Sequence, residues 1–354
     1  MTPRDRVLAA ASHREPDTVP LFYRDVPDVE RRLLKDLGLA SREELLRHLE
    51  IDFRWIGARY TGPDLGDPAS GRKRDIWGVE YRHVPTETGG NWEAVDCPLR
   101  RVTDVAALAD YPWPRIEWFD FAGLAEQTRR HKDYALMTAP GVDSPGVMLA
   151  VMDLLGMERT MTDMALNPDF IQGVVDRIVQ FNLEYFERFF AVVKDRLDFF
   201  RMGDDFGTQR GLLISPAMYR RFFQPALRRM AEPAKAHGAR YYHHSCGAIR
   251  RLIPDLIDTG VDVLDPLQVK ADGMDPAELK AEFGDRLCFS GGVDEQELLP
   301  RGTPEEVRRA VHDLLDMMMP GGGFFLGPTH NFQTDIPTDN IVAMYAAARE
   351  WRRA

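Results

Sequence analysis

From about residue 130 onward, short apolar runs alternate with helical patterns, and this alternation constrains the fold most. The runs are Tyr134–Thr138, Phe199–Gly203, Arg240–His244, Val261–Leu264, Leu287–Ser290 and Gly323–Leu326. Between and after them lie helical patterns at Pro168–Phe190, Pro216–His237, Ile249–Thr259, Asp275–Phe283, Pro304–Met319 and Pro337–Trp351. Several open with proline, whose missing N–H costs nothing in a first turn, and those ending at His237, Thr259 and Phe283 are each followed by glycine. Strand–helix alternation predicts a parallel sheet with crossover helices. No Gly-x-Gly-x-x-Gly turn follows an early strand, which removes the main reason to expect an open dinucleotide-binding sheet. The expectation is an α/β fold, a (β/α)8 TIM-like barrel forming one domain over 1–354. Residues 1–115 are read as an N-terminal extension with loops, and 116–354 as the main barrel.

The extension is mixed. Helical pattern covers Arg4–His13, a short strand Val19–Tyr23, and a charged helix carries Val29, Leu33, Leu34 and Leu37 on one face. Residues 62–90 are rich in glycine, proline and charge; they read as loops or a small antiparallel excursion, a lid or substrate loop.

Composition narrows the function. The formal charge is −11, from 45 basic and 56 acidic residues, and no basic tract of five or more occurs, so nucleic acid is not expected. No apolar run approaches the roughly 18 residues of a membrane span, and the first residues lead into an amphipathic stretch rather than a secretory signal. Three cysteines, Cys97, Cys246 and Cys288, fit a reducing cytoplasm rather than a disulfide framework.

In a barrel, chemistry gathers where strands end. Five successive ends here are polar: Asp204-Asp205, His243-His244-Ser245-Cys246, Asp265-Pro266-Leu267-Gln268, Ser290 to Asp294, and Thr329-His330-Asn331. Residues two apart on an extended segment point the same way, so His244 and Cys246 converge while His243 faces elsewhere. An imidazole and a thiolate suit Zn²⁺. The expected metal ligands are His244, Cys246 and His330, with Asp204 or Asp205 as an oxygen donor or, catalytically, a group that orients substrate. Asp205 is favoured for the inward position and Asp204 as a brace. Gln268, Asp294 and Asn331 are expected at the substrate. Cys288 and the Met317–Met319 run read as packing, and Cys97 as incidental.

These residues resemble the uroporphyrinogen decarboxylase superfamily. The likeness lies in His243 to Ile249, Ile253 to Ile257, Gly260-Val261-Asp262, Phe289 to Asp294 with Leu298-Leu299-Pro300, the ending Pro337 to Met344, and the opening Arg4 to Pro20. The resemblance implies a (β/α)-barrel and one of two chemistries. One branch decarboxylates uroporphyrinogen without metal; its early paired-arginine segment is replaced here by Leu21-Phe22-Tyr23-Arg24-Asp25-Val26-Pro27. Arg24 alone is a poor grip for a ligand with eight carboxylates. The other branch moves methyl groups to or from a corrinoid, using zinc held by a His-x-Cys pair and a later cysteine. The pair is present as His244 and Cys246, and His330 stands where the later cysteine is expected. The resemblance therefore implies zinc-dependent methyl transfer between a small methylated substrate or thiol and a corrinoid (cobalamin), free or on a corrinoid carrier protein. A decarboxylase of a uroporphyrinogen-like or other small acid is the second reading. A non-catalytic corrinoid- or tetrapyrrole-binding protein is the third.

Overall fold

The computed structural model describes residues 1–86 and 90–351 of the chain, apart from the side chain of Asn91. Seven parallel strands form one curled sheet: β1 (Phe53–Ile56), β2 (Ala135–Thr138), β3 (Phe199–Gly203), β4 (Arg240–His244), β5 (Val263–Leu267), β6 (Cys288–Val293) and β7 (Phe324–Pro328), hydrogen-bonded in that order. This is the mixed α/β, TIM-like arrangement that the alternation predicts. The sheet begins earlier than expected, because β1 lies inside the stretch read as extension. Its run is only four residues long and is preceded by Asp52, too short for periodicity to register.

The segment around Leu21 lies against both outer strands' ends. Leu326 donates its N–H to Pro20 O and its own carbonyl accepts from Phe22, while the Asp52 N–H bonds to Leu21 O. The expected strand Val19–Tyr23 is thus a bridge at Leu21 rather than a regular strand. Inside the sheet, Phe22, Phe53, Met137, Phe199, Tyr242, Val263, Cys288 and Phe325 form one buried layer. Each fully buried large side chain there contributes roughly 1.5–3 kcal/mol. This layer fills the concave side of the sheet beneath the C-terminal ends of its strands.

Helices follow as expected. Pro168–Val193 buries Ile171, Ile178, Tyr185 and Phe189 along one face. The helix at 216–236 contains a widened turn at Tyr219–Phe223. Met318 and Met319 are buried, as expected of packing, but Met317 is exposed. The excursion near residues 62–90 is a three-stranded antiparallel sheet (Arg72–Arg74, Glu80–Val84, Asn91–Asp96). The Tyr81 hydroxyl ties it to Asp153 on the helix Val147–Leu155, at 2.7 Å. No helix among the described residues is long and apolar enough to cross a membrane.

Candidate metal centre

The ends of β3 and β4 lie side by side, with Gly203 paired to His244. A Cβ on Gly203 would sit 2.6 Å from the His244 Cβ, so glycine is what lets His244 cross over β3. Beyond the strand, Gly247 takes φ +91°, and a side chain there would strike Thr208 O at 2.6 Å. Glycine therefore permits the sharp turn that follows Cys246.

Within this turn, Asp205, His244 and Cys246 bring one donor atom each within 4.8 Å of one another. His244 Nε2 is 3.5 Å from Cys246 Sγ and 3.5 Å from Asp205 Oδ1. The other ring nitrogen, Nδ1, is 2.8 Å from Asp265 Oδ2. Asp265 is wholly buried. Burial alone would raise its pKa, but Arg24, whose Nη1 donates to Oδ2 at 2.9 Å, and His244 together hold it well below the usual carboxylate range. An ionised Asp265 accepts from Nδ1–H, which leaves the Nε2 lone pair facing the cysteine and Asp205. Burial, opposed by Asp265, also lowers the His244 pKa, so the imidazole is neutral and ligand-competent near pH 7.

The remaining groups fix the frame. Asp205 Oδ1 accepts the Cys246 N–H at 2.8 Å, Gln268 Oε1 accepts the Gly247 N–H at 2.7 Å, and the Ser245 hydroxyl accepts the Phe206 N–H at 3.0 Å. Burial, then the Asp205 charge, push the Cys246 thiol above its ordinary value. His243 points to the opposite face, is fully buried, and pairs its Nδ1 with the Tyr241 hydroxyl at 2.8 Å.

A cavity of about 400 Å³ opens over the cluster, with Asp205, Cys246, Gln268, Glu295 and His330 among its lining residues. Gln268, expected at the substrate, lines this space. His330 lines it too but lies outside the three-residue cluster, where Asp205 stands as the third donor instead. Its imidazole is held below its ordinary pKa by burial, Arg24 and His244. Asn331 lines a neighbouring cavity.

Two expected site residues lie elsewhere. Asp204 accepts the N–H groups of Val147 at 2.9 Å and Leu149 at 2.8 Å, capping the helix Val147–Leu155. Burial raises its pKa to about 7 despite those bonds. Asp294 accepts the N–H groups of Gln296, Glu297 and Leu298, each at 3.1 Å, and is buried away from the cavity. Asp294 was expected at the substrate and Asp204 as a brace; free helix-terminal N–H groups hold both. Their successors face the cavity: Asp205, and Glu295, which sequence reasoning passed over. Burial pushes Glu295 up to about 8, against the pull of Arg24.

The family model for uroporphyrinogen decarboxylase matches residues 98–351. A curated relative, the methylated-thiol–coenzyme M methyltransferase of Methanosarcina mazei, is 27% identical over 138 residues, 39% of this chain. The chain spans about a third of that relative's length (34%). A solved methyltransferase from Methanosarcina mazei superposes with a TM-score of 0.67 at 19% identity, covering 99% of each chain, which is a likeness of fold.

Proposed function

The chain belongs to the uroporphyrinogen decarboxylase family, and from that premise we propose that it is a zinc-dependent methyltransferase, moving a methyl group between a small methylated substrate or thiol and a corrinoid, free or on a carrier protein. The observation that carries this reading is the convergence of Asp205, His244 and Cys246. In the same reading the barrel is closed, with the segment at Leu21 as its eighth position, so that the cluster sits at the mouth.

The donor set fits zinc: a thiol, a neutral imidazole with its lone pair aimed by Asp265, and a carboxylate, beside open cavity space for a substrate atom. His330, across the cavity, is the remaining candidate ligand. Zinc held there would ionise a bound thiol or stabilise the charge growing on a leaving heteroatom. A free thiol is only a few per cent ionised at neutral pH, so full ionisation contributes about 30-fold, roughly 2 kcal/mol.

The chain's own groups supply the rest. Asp265 and Arg24 lock the His244 ring, and Gln268 holds the turn behind Cys246. Glu295 keeps a proton on its carboxyl group up to about pH 8 and faces the same cavity, where it can protonate a departing thiolate, alkoxide or amine.

The test is spectroscopic: cob(I)alamin is offered methylated thiols, methoxy compounds and methylamines, and methylcobalamin is offered thiols. The proposal expects methyl transfer with at least one class, reduced at least a hundredfold in Cys246→Ser. Failure in both directions with every class, in protein carrying stoichiometric zinc, would sink it. Decarboxylation of a small acid is the second reading, favoured by the arginines beside the cluster, and carbon dioxide release in place of methyl transfer would promote it.

A further inference from the structure

A separate cavity, of about 390 Å³, lies between the antiparallel excursion and the helix Val147–Leu155. Asp75, Ile76 and Trp77 line it from the excursion, and Pro145, Leu149 and Asp153 from the other side. It adjoins the frame of the metal centre, because that helix starts on Asp204, the neighbour of Asp205. Apolar packing seats the excursion: Ile76 and Val79 are buried, and the Trp77 ring meets Phe181 at 5.2 Å.

One polar contact there is short of a hydrogen. The Tyr81 hydroxyl is 2.7 Å from Asp153 Oδ2 and 3.0 Å from Asp75 Oδ2. Asp75 Oδ1 accepts the N–H groups of Trp77, at 2.9 Å, and Val79, at 3.0 Å, which fixes that carboxyl in place. A hydroxyl has one hydrogen, and an ionised carboxylate has none to give. Both contacts are therefore full hydrogen bonds only when one of the two carboxyl groups is protonated. Without that proton, two carboxylates face one hydroxyl and repel each other. Burial favours the proton on both: it raises Asp153 and brings Asp75 to about 6, with the Asp153 charge adding to the rise. The other titratable groups in electrostatic reach are Lys73, whose Nζ lies 5.7 Å from the Tyr81 ring, Tyr111, and Cys97 with its neighbours Asp96 and Arg100. Lys73 favours the ionised Asp75, but burial lowers its own pKa.

We propose that Asp75, Tyr81 and Asp153 form a proton-held latch, which keeps the excursion closed on the helix Val147–Leu155 while a proton is shared there and lets it lift from the cavity once that proton leaves for solvent. In the lifted state an aspartate titrates near 4, and in the closed state Asp75 titrates near 6. The closed state holds the proton longer, so its advantage is greatest below about pH 4, shrinks as pH rises to about 6 and is flat beyond. The latch stands on these contacts whatever reaction the cluster performs.

Hydrogen exchange of the full chain, corrected for the intrinsic rate at each pH, tests it without turnover. From pH 4.5 to pH 7 the protection of the Glu80–Val84 amides is expected to fall at least tenfold relative to those of Cys288–Val293. In Asp153→Asn the side-chain amide gives the Tyr81 oxygen a hydrogen that needs no acid, so protection stays high and changes less than about threefold. Asp75→Asn makes the same test where Asp153→Asn does not fold. Tyr81→Phe should show the low, high-pH level of protection throughout. A flat profile in wild type, an undiminished pH dependence in the Asn variant, or a wild-type profile in Tyr81→Phe overturns the latch.

Discussion

The two sides of the hollow at the strand ends are built on opposite principles. On the β3–β5 side the groups that frame the cluster are held: His244 on Asp265, the Cys246 amide on Asp205, the Gly247 amide on Gln268, although His243 Nε2 and Asp265 Oδ1 are left without a hydrogen-bond partner. On the arginine side, guanidinium N–H groups of Arg24 and Arg201 are left bare. A satisfied network fixes geometry before any ligand arrives, and a bare charge waits for one. In the proposed reading the first side is the rigid metal centre, while the second keeps bare donors. Arg24 joins them, since one of its nitrogens serves the network and two do not.

The sharpest way to break that contrast is Asp265→Ala, which strips the anchor from His244 and the counter-charge from Arg24. A stability loss of about 3–5 kcal/mol is expected in denaturant unfolding, with metal affinity down about 10–100-fold. Because the folded carboxyl titrates well below its unfolded value near 4, its stabilisation is complete above that value and lost as pH falls further. A variant as stable as wild type at neutral pH would show that the network does not hold the mouth together.

Asp205→Asn probes the rigid side more gently. It keeps shape and removes charge, so it should melt near wild type while losing at least tenfold in metal affinity or activity, about 1.4 kcal/mol. Easier unfolding with full activity per folded molecule would make Asp205 a structural residue. Metal affinity should also climb with pH through the neutral range, because the Cys246 thiol, raised by burial, must give up its proton on binding. A pH-independent affinity would argue against the thiolate as ligand.

The smallest effect is expected at the neighbouring carboxylate. Asp204→Ala should lose about 0.5–2 kcal/mol of stability, the worth of a helix cap, with metal content unchanged. Asp204 titrates at about 7 when folded, above its unfolded value, so the native state holds the proton longer. Its contribution to stability therefore declines as pH rises from about 4 to about 7 and is flat beyond. Asp204→Asn should erase that slope, and metal loss in either variant would move Asp204 into the centre.

The same pair shows what sequence alone can read. Strand β3 and strand β4 were legible to the residue, and the two-residue spacing of His244 and Cys246 forecast their convergence. Alternation along a strand does not forecast which carboxylate at its end is taken by a neighbouring helix. Asp204 and Asp294 both went to bare N–H groups, one of them on a helix 57 residues away in sequence, and Asp205 and Glu295 inherited the cavity. Arg201 was hidden for a related reason. An arginine inside a short apolar run carries no local sign that its partners are missing. Only the packed sheet, with Trp55 and Arg24 brought beside it, shows that its Nε is enclosed without a hydrogen-bond partner among the described residues. Strand β1 escaped notice because four residues are too few to display a period.

The most direct measurement is the zinc content of protein purified without a histidine tag, for wild type and for Cys246→Ser. About one zinc per chain is expected in wild type and less than roughly a tenth as much in the variant, with both folded, as a three-ligand catalytic site requires. Zinc well below one per chain in wild type, or an unchanged content in Cys246→Ser, would contradict the metal centre at Asp205, His244 and Cys246.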